Sequence, residues 1–200
     1  MMTGMPRWDP NAEDRLRKAA VELFLEHGYE NVTVTQITER AGLTRRSFSR
    51  YFTDKRDVLF AGSERLPVDL AHSVRHADDA LSPFEALLAA LMEVAGGLAE
   101  EAPLAAPRRA LVRASPQLQE RGRTKFAAAT KAVADALRDR GTAESEATLL
   151  AEAGLAIFRA ALERWTDQPD DVGLPARVWA AAAELADSLG TVNFAAPPGP

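Results

Sequence analysis

Apolar residues recur at intervals of three and four positions along almost the whole 200-residue chain, and this spacing constrains the fold more than any other feature. About one residue in five is alanine, the strongest helix former, and runs of β-branched residues are short. We therefore predict an all-α protein of about nine helices, in which a group of three N-terminal helices precedes a larger helical bundle. The chain contains no cysteine, which excludes disulfides and thiol chemistry.

Two short helices joined by a tight turn are predicted between Thr33 and Phe52. Thr33 and Gln36 have the spacing of a capping box, which opens the first helix, and Gly42 is placed to end it. Thr44 can cap the second helix. Two short helices joined by three or four residues that include a glycine describe a helix-turn-helix, whose second helix enters the major groove of DNA.

The charge distribution agrees with a DNA-binding segment near the N-terminus. The chain has a formal net charge of −5, but residues 1–65 hold 11 basic and 10 acidic residues, whereas residues 66–200 hold 13 and 19. Residues 40–56 carry six basic side chains and one acid, a net charge of +5. A local basic face on an acidic chain is expected where one end of a protein meets phosphates. The alternatives are a solvated charge cluster or a three-helix packing motif with hydrated arginines.

The predicted DNA contacts lie on and around the second helix of this pair. Arginine can bond O6 and N7 of guanine together, and Arg45 and Arg46 lie near the N-terminus of that helix, so they are the candidates for base reading, Arg46 first. Lys55 and the smaller polar groups are better suited to phosphates, which fix register without reading sequence. The full predicted DNA-binding set is Thr33, Thr35, Gln36, Thr44, Arg45, Arg46, Ser47, Ser49, Arg50, Tyr51 and Lys55.

The segment TVTQITERAGLTRRSFSRYFTDKRDVL, residues 33–59, resembles the DNA-binding segment of the TetR family of transcriptional regulators. The match covers about residues 12–65, and beyond it only the helical layout and the length agree. The family often has a phosphate-contacting tyrosine where Ser49 stands, so this contact is expected to be weaker or taken over by Tyr51 and Arg50. The matching features are the threonine that opens the first short helix, Ala41–Gly42, Leu43–Thr44, Tyr51–Phe52 and Lys55.

The resemblance implies a homodimer that inserts its third helix into each half of a palindromic operator, usually to repress. A small ligand in the larger domain would then shift the fourth helix. The last two helices, predicted at about 144–165 and 175–189, are rich in alanine and glycine and could form a self-complementary dimer surface. Their larger apolar residues could equally be core: Leu150, Ile157, Phe158, Trp165, Val178 and Trp179.

The predicted organisation has four parts, and the fourth helix begins the larger domain. That helix is expected from about Thr53–Asp54 to near Ala80, with Pro67 kinking or interrupting it. The four parts are a disordered arm at residues 1–10, a helix-turn-helix domain at 11–56, a ligand-binding and dimerisation domain at 57–190 and a flexible tail at 191–200.

An effector site is expected between helices of the larger domain, where ligand sites of bundles lie. Three arginines, Arg108, Arg109 and Arg113, could bind an acidic ligand or simply form a solvated face. Apolar candidates for lining a cavity, none of them assigned as a ligand contact, are Phe84, Leu88, Met92, Leu111, Phe126, Phe158 and Trp165.

The sequence offers little for catalysis. His72 and His76 lie four residues apart with Asp69 just before them, a spacing that could hold a metal, but the charges around them indicate a solvated surface. We expect no enzyme, no cofactor and no metal; the alternatives are a non-sensing architectural DNA-binding protein and a metal-dependent helical enzyme.

No apolar run approaches the roughly 20 residues of a membrane helix. A cytoplasmic protein without membrane contact is expected.

Overall fold

The computed structural model describes residues 11–60, 65–98, 102–167 and 172–191, and within them it contains ten α-helices and no β-strand. The all-α prediction is confirmed. The arm predicted at residues 1–10 and the tail after Thr191 lie outside the described residues. The helices are α1 (Ala12–His27), α2 (Val34–Arg40), α3 (Arg45–Tyr51), α4 (Asp57–Phe60), α5 (Leu66–Arg75), α6 (Pro83–Gly97), α7 (Ala102–Ala114), α8 (Pro116–Asp139), α9 (Glu144–Asp167) and α10 (Leu174–Gly190).

The helix count differs from the prediction of about nine because the predicted fourth helix corresponds to two helices, α4 and α5. Residues 61–64 between them lie outside the described residues. Pro67 occupies the first turn of α5, where a missing backbone N–H costs no hydrogen bond. The proline thus lies at the start of a helix, in the one part where proline is well tolerated.

The chain divides into two compact units, of which the first joins residues 1–64 to residues 104–122. The predicted domain limits, 11–56 and 57–190, place the second of these segments in the other domain. The contacts explain the difference, because Leu111 and Leu118 are buried in the same apolar cluster as the side chains of α1–α4. The largest fully buried members of this cluster are Leu16, Phe24, Ile37, Phe48, Leu59 and Leu118.

The second unit comprises residues 65–103 and 123–200, with α5, α6, most of α8, α9 and α10 packed around one core. Helices α6 and α9 approach closely at Gly154, where an added Cβ would lie 2.6 Å from Leu87 Cδ2. Some of the small residues of the last two helices therefore allow close helix packing within the second unit. The core includes Leu70, Leu87, Leu91, Val133, Leu137, Phe158 and Val178.

None of the described helices combines the length and the apolar character that crossing a membrane requires.

Candidate nucleic-acid interface

Helix α2 begins with the capping box that the sequence predicts. The Thr33 hydroxyl accepts a hydrogen bond from the Gln36 amide at 3.3 Å, and the Gln36 side chain accepts one from the Thr33 amide at 2.8 Å. Thr33, Thr35 and Gln36 are all exposed. These three predicted phosphate contacts therefore lie together at the start of α2, with two of the side chains already bonded to each other.

The turn between α2 and α3 is fixed by its own backbone and by α1. Gly42 has a φ of +64°, in the left-handed region that favours glycine, and the Leu43 amide donates to Thr38 O at 2.8 Å. The Arg15 guanidinium of α1 donates to the carbonyls of Ala41 and Gly42. A Cβ on Gly42 would lie 3.0 Å from that guanidinium, which would have to shift slightly, so the positive φ is the main reason that this position favours glycine.

Helix α3 is anchored on one side and exposed on the other. The Thr44 hydroxyl caps it by accepting from the Ser47 amide at 3.1 Å, as predicted. Phe48 and Phe52 are buried, with ring centroids 5.3 Å apart, and they hold the helix against the core of the first unit. Arg45, Arg46, Ser49 and Arg50 are exposed, whereas Ser47 and Tyr51 are half-buried.

Two of the six basic side chains in residues 40–56 are neutralised by acids of the same unit. Arg40 makes two hydrogen bonds to Glu26 of α1, at 2.9 and 2.8 Å, and these bonds lower the pKa of Glu26. The Arg56 guanidinium is bonded to Asp54, which lowers the pKa of that carboxyl. Asp54 is already subtracted in the sequence count of +5, whereas Glu26 lies outside the segment, so the bonds to Glu26 lower the positive charge that this segment presents.

Lys55 is held by the turn that precedes α2. Its ammonium group donates to the carbonyls of Tyr29, Glu30 and Val32 at 2.8, 3.2 and 3.1 Å, and it lies 4.3 Å from the centroid of the Tyr29 ring. An ammonium group has three N–H donors, and these three bonds use all of them. In the free protein Lys55 therefore holds this turn, and its predicted phosphate contact stays a prediction.

The remaining positive charge lies on α3. In the described part of the chain, neither the guanidinium of Arg45 nor that of Arg46 has a hydrogen-bond or ion-pair partner. Arg50 donates to the Tyr51 hydroxyl and lies over the same ring, with its guanidinium carbon 4.7 Å from the centroid. The Ser49 hydroxyl donates back to Arg45 O at 3.1 Å. The two arginines proposed to read bases are thus the least committed cations of the segment.

The segment after α3 is fixed by contacts that the sequence analysis missed. Asp54 caps the start of α4 by accepting from the Asp57 amide at 3.2 Å, as expected of a capping residue. The buried Asp57 carboxylate accepts from Arg121 of α8 at 2.7 Å and from the Thr53 amide at 3.2 Å. Arg121 lies 64 residues away in sequence, as Arg15 lies 27 residues from Gly42, so no local spacing could have indicated either pair.

Comparison with known families gives two matches that together cover most of the described residues. The family described as bacterial regulatory proteins, tetR family, matches residues 16–61, and the MftR C-terminal domain matches residues 81–190. The second match alone spans more than half of the chain.

Two curated proteins are similar to the chain over different lengths. The HTH-type transcriptional regulator TcmR of Streptomyces glaucescens is 47% identical over 45 residues, which are 22% of this chain and 20% of that protein. The chain thus matches only about one fifth of that relative's length. The putative mycofactocin biosynthesis transcriptional regulator MftR of Mycobacterium tuberculosis is 25% identical over 177 residues, 87% of this chain and 89% of that protein.

Solved structures share the fold over nearly the whole chain. Thermus thermophilus FadR, a TetR-family transcriptional repressor in complex with lauroyl-CoA, has a TM-score of 0.56 and 24% identity, covering 94% of this chain and 100% of that one. The SmeT–triclosan complex has a TM-score of 0.63 and 20% identity, covering 94% and 99%. A TetR-family regulator from Syntrophomonas wolfei has a TM-score of 0.66 at 14% identity, covering 94% and 100%.

Proposed function

The chain belongs to the TetR family of bacterial regulatory proteins and is a DNA-binding transcriptional regulator, and from that premise we propose that it is a ligand-responsive repressor that binds a palindromic operator as a homodimer. The observation that carries the DNA-binding half of this proposal is the pair of exposed, uncommitted arginines on an α3 that is anchored by buried phenylalanines.

In the proposed complex, α3 of each protomer lies in the major groove of one half-site. Arg46, with Arg45 beside it, reads guanine through its two parallel N–H donors. The polar groups at the start of α2 and around α3, all of them exposed or half-buried, contact phosphates and fix the register: Thr33, Thr35, Gln36, Thr44, Ser47, Ser49, Arg50 and Tyr51. Lys55 contributes indirectly, because its hydrogen bonds to backbone carbonyls hold the turn that leads into α2.

The dimer is proposed to form through the exposed side of α9 and α10, which we call the α9–α10 face. Trp179 is 56% exposed and Leu149 is 68% exposed, and large apolar side chains so placed are typical of an interface. The Arg164–Glu184 pair, with two hydrogen bonds of 2.7 Å, joins the two helices into one surface. The face also contains small or charged exposed residues: Glu152, Ala156, Arg159, Ala180 and Ala183.

The effector is proposed to be an apolar small molecule bound within the second unit. Five of the candidate lining residues are only partly buried where they pack against its core, so a ligand could displace them at small cost. Leu111 belongs instead to the core of the first unit, and Phe158 is fully buried. Two proteins of the same fold have solved structures with ligands that contain a large apolar group: FadR with lauroyl-CoA, which has an apolar acyl chain, and SmeT with triclosan. The five residues are Phe84, Leu88, Met92, Phe126 and Trp165.

The histidine pair does not support a metal-dependent alternative. His72 and His76 stack with ring centroids 4.1 Å apart, and they line a polar surface cleft of about 250 Å³ between α5 and α6. No group of three histidine, aspartate or glutamate side chains in the described ranges could hold a metal ion.

A regulator acting on chromosomal operators would work in the cytoplasm.

The test of the proposed function is selection of duplexes from a random library by the purified protein at two salt concentrations, because salt weakens phosphate attraction more than base reading. Enrichment of a palindrome at both concentrations, with half-sites about 10 bp apart or a multiple of that spacing, is the expected result. Uniform recovery of unrelated duplexes would instead identify an architectural DNA-binding protein.

A further inference from the structure

Glu152 and Arg159 lie at the centre of the exposed side of α9. Both side chains are exposed, as is Ala156 between them, whereas Ala151, Leu155 and Phe158 on the opposite side are buried in the core of the second unit. Among the residues that the structure describes, neither the carboxylate of Glu152 nor the guanidinium of Arg159 has a hydrogen-bond or ion-pair partner.

The two charges cannot satisfy each other within one chain. Seven residues correspond to about 10.5 Å along the axis of a helix and to nearly two full turns, so the side chains share a face but stand too far apart to pair. No basic residue lies three or four positions from Glu152 on either side. The acid four positions after Arg159 is Glu163, which has an interaction of its own elsewhere.

From this arrangement we infer that α9 pairs antiparallel with α9 of a second copy of the chain, with Glu152 of each copy bonded to Arg159 of the other. The inference rests on the proposed homodimer and specifies its register. A two-fold axis near Ala156 lies midway between the two charges and brings both opposite-charge pairs together at once. A parallel pairing would instead place Glu152 against Glu152 and Arg159 against Arg159, which repel each other.

The surroundings favour a second copy as the occupant. The small side chain of Ala156 allows two helices to approach closely at the crossing point, since interaxial distance depends on the side chains at the contact. The neighbouring face of α10 supplies Trp179, Ala180 and Ala183, which are exposed and uncharged. Because the acid lies four residues before Ala156 and the base three residues after it on one helix, the surface is complementary to itself about an axis near Ala156.

The experiment uses charge reversal in the full-length protein, with sedimentation velocity over a concentration series as the measurement. Glu152→Arg and Arg159→Glu each place like charges together twice in the dimer, so each variant is expected to raise the dimer dissociation constant about tenfold or more. Mixing the two variants is expected to restore dimerisation as a heterodimer, because position 152 of each copy then faces a residue of opposite charge at position 159 of the other copy. The double variant Glu152→Arg/Arg159→Glu is expected to restore the homodimer.

The matched control is Glu93→Arg, the same charge reversal at an exposed position of α6, which is expected to leave the dissociation constant unchanged. Recovery on mixing shows that the single variants are folded. A dimeric wild type whose dissociation constant is unaffected by either reversal, or single variants that do not recover when mixed, would overturn the proposed register and leave the dimer intact. A monomeric wild type would instead overturn the homodimer itself.

Discussion

Arg46 is the side chain on which sequence reading by this protein is expected to depend most. It is exposed near the N-terminus of α3 and has no partner within the described residues, so its guanidinium can approach a guanine without breaking an existing bond. We expect Arg46→Ala to weaken binding to the selected operator by about 1–3 kcal/mol while leaving binding to scrambled DNA nearly unchanged. Fluorescence anisotropy with both duplexes measures the difference.

The control for this variant is Lys18→Ala, which removes an exposed cation from α1. It should change the affinity for both duplexes little and equally. If Arg46→Ala lowers the affinity for the two duplexes by the same factor, Arg46 contacts phosphate and another residue reads the sequence.

Lys55 is expected to contribute stability more than DNA affinity. Lys55→Met removes three hydrogen bonds to backbone carbonyls, so we expect the free energy of unfolding to fall by about 1–3 kcal/mol. Urea denaturation followed by circular dichroism is the measurement, and Lys18→Met, expected within about 0.5 kcal/mol of wild type, is its control. Unchanged stability together with a smaller salt dependence of DNA binding would return Lys55 to the phosphate role.

Tyr29 gives the first unit a dependence on alkaline pH. Burial raises the pKa of its phenol to about 12 in the folded chain, above the value of about 10 for an exposed tyrosine. The folded state therefore favours the protonated phenol, and its contribution to stability is complete below about pH 10 and is lost as the pH rises towards 12. In denaturation curves taken between pH 9 and 12, wild type should lose stability more steeply than Tyr29→Phe. If wild type and Tyr29→Phe lose stability equally as the pH rises, ionisation of the Tyr29 phenol does not cause the loss.

The residues of the site were predictable where their roles depend on nearest neighbours in sequence. Thr33 and Thr44 cap α2 and α3 as expected, because capping depends on a residue three positions away. The roles of Arg40 and Lys55 were not predictable, because their partners lie 14 and 23 to 26 residues away. Folding thus decides which of six basic side chains remain available to DNA.

Among the helices, the close approach of α6 and α9 is expected to tolerate no side chain at Gly154. A Cβ there would lie 2.6 Å from Leu87 Cδ2, and Leu87 is fully buried and has no room to move. We expect Gly154→Ala to lower the free energy of unfolding by about 1–3 kcal/mol, as overpacking does elsewhere. Gly97→Ala is the control, because nothing lies within 4 Å of the added Cβ. Thermal unfolding of both variants checks the prediction, and equal melting temperatures would contradict it.

Helix limits followed from the sequence better than helix partners did. Gly42, which was expected to end the first helix of the pair, has a positive φ value after the end of α2, and Gly28 and Gly141 have positive φ values after the ends of α1 and α8. The membership of residues 104–122 in the first unit was not predictable. In the sequence, Leu111 and Leu118 follow the same apolar spacing as the residues of the other helices. Only the packed structure shows that they belong to the core of the first unit.

The whole molecule combines a formal net charge of −5 with a positively charged α3. The acidic remainder disfavours indiscriminate wrapping of DNA, while the uncommitted arginines of α3 are proposed to supply the local attraction and the base contacts. In the proposed dimer, two such helices would confer preference for a two-fold symmetric site.

The most direct test of sequence-specific binding compares two affinities of the wild-type protein. One is for the selected palindromic duplex and the other is for the same duplex with both half-sites scrambled, both measured by fluorescence anisotropy near physiological salt. We expect the palindrome to bind at least about a thousandfold more tightly, which is the lower end of the range for specific DNA-binding proteins. Equal affinity for the two duplexes would contradict it.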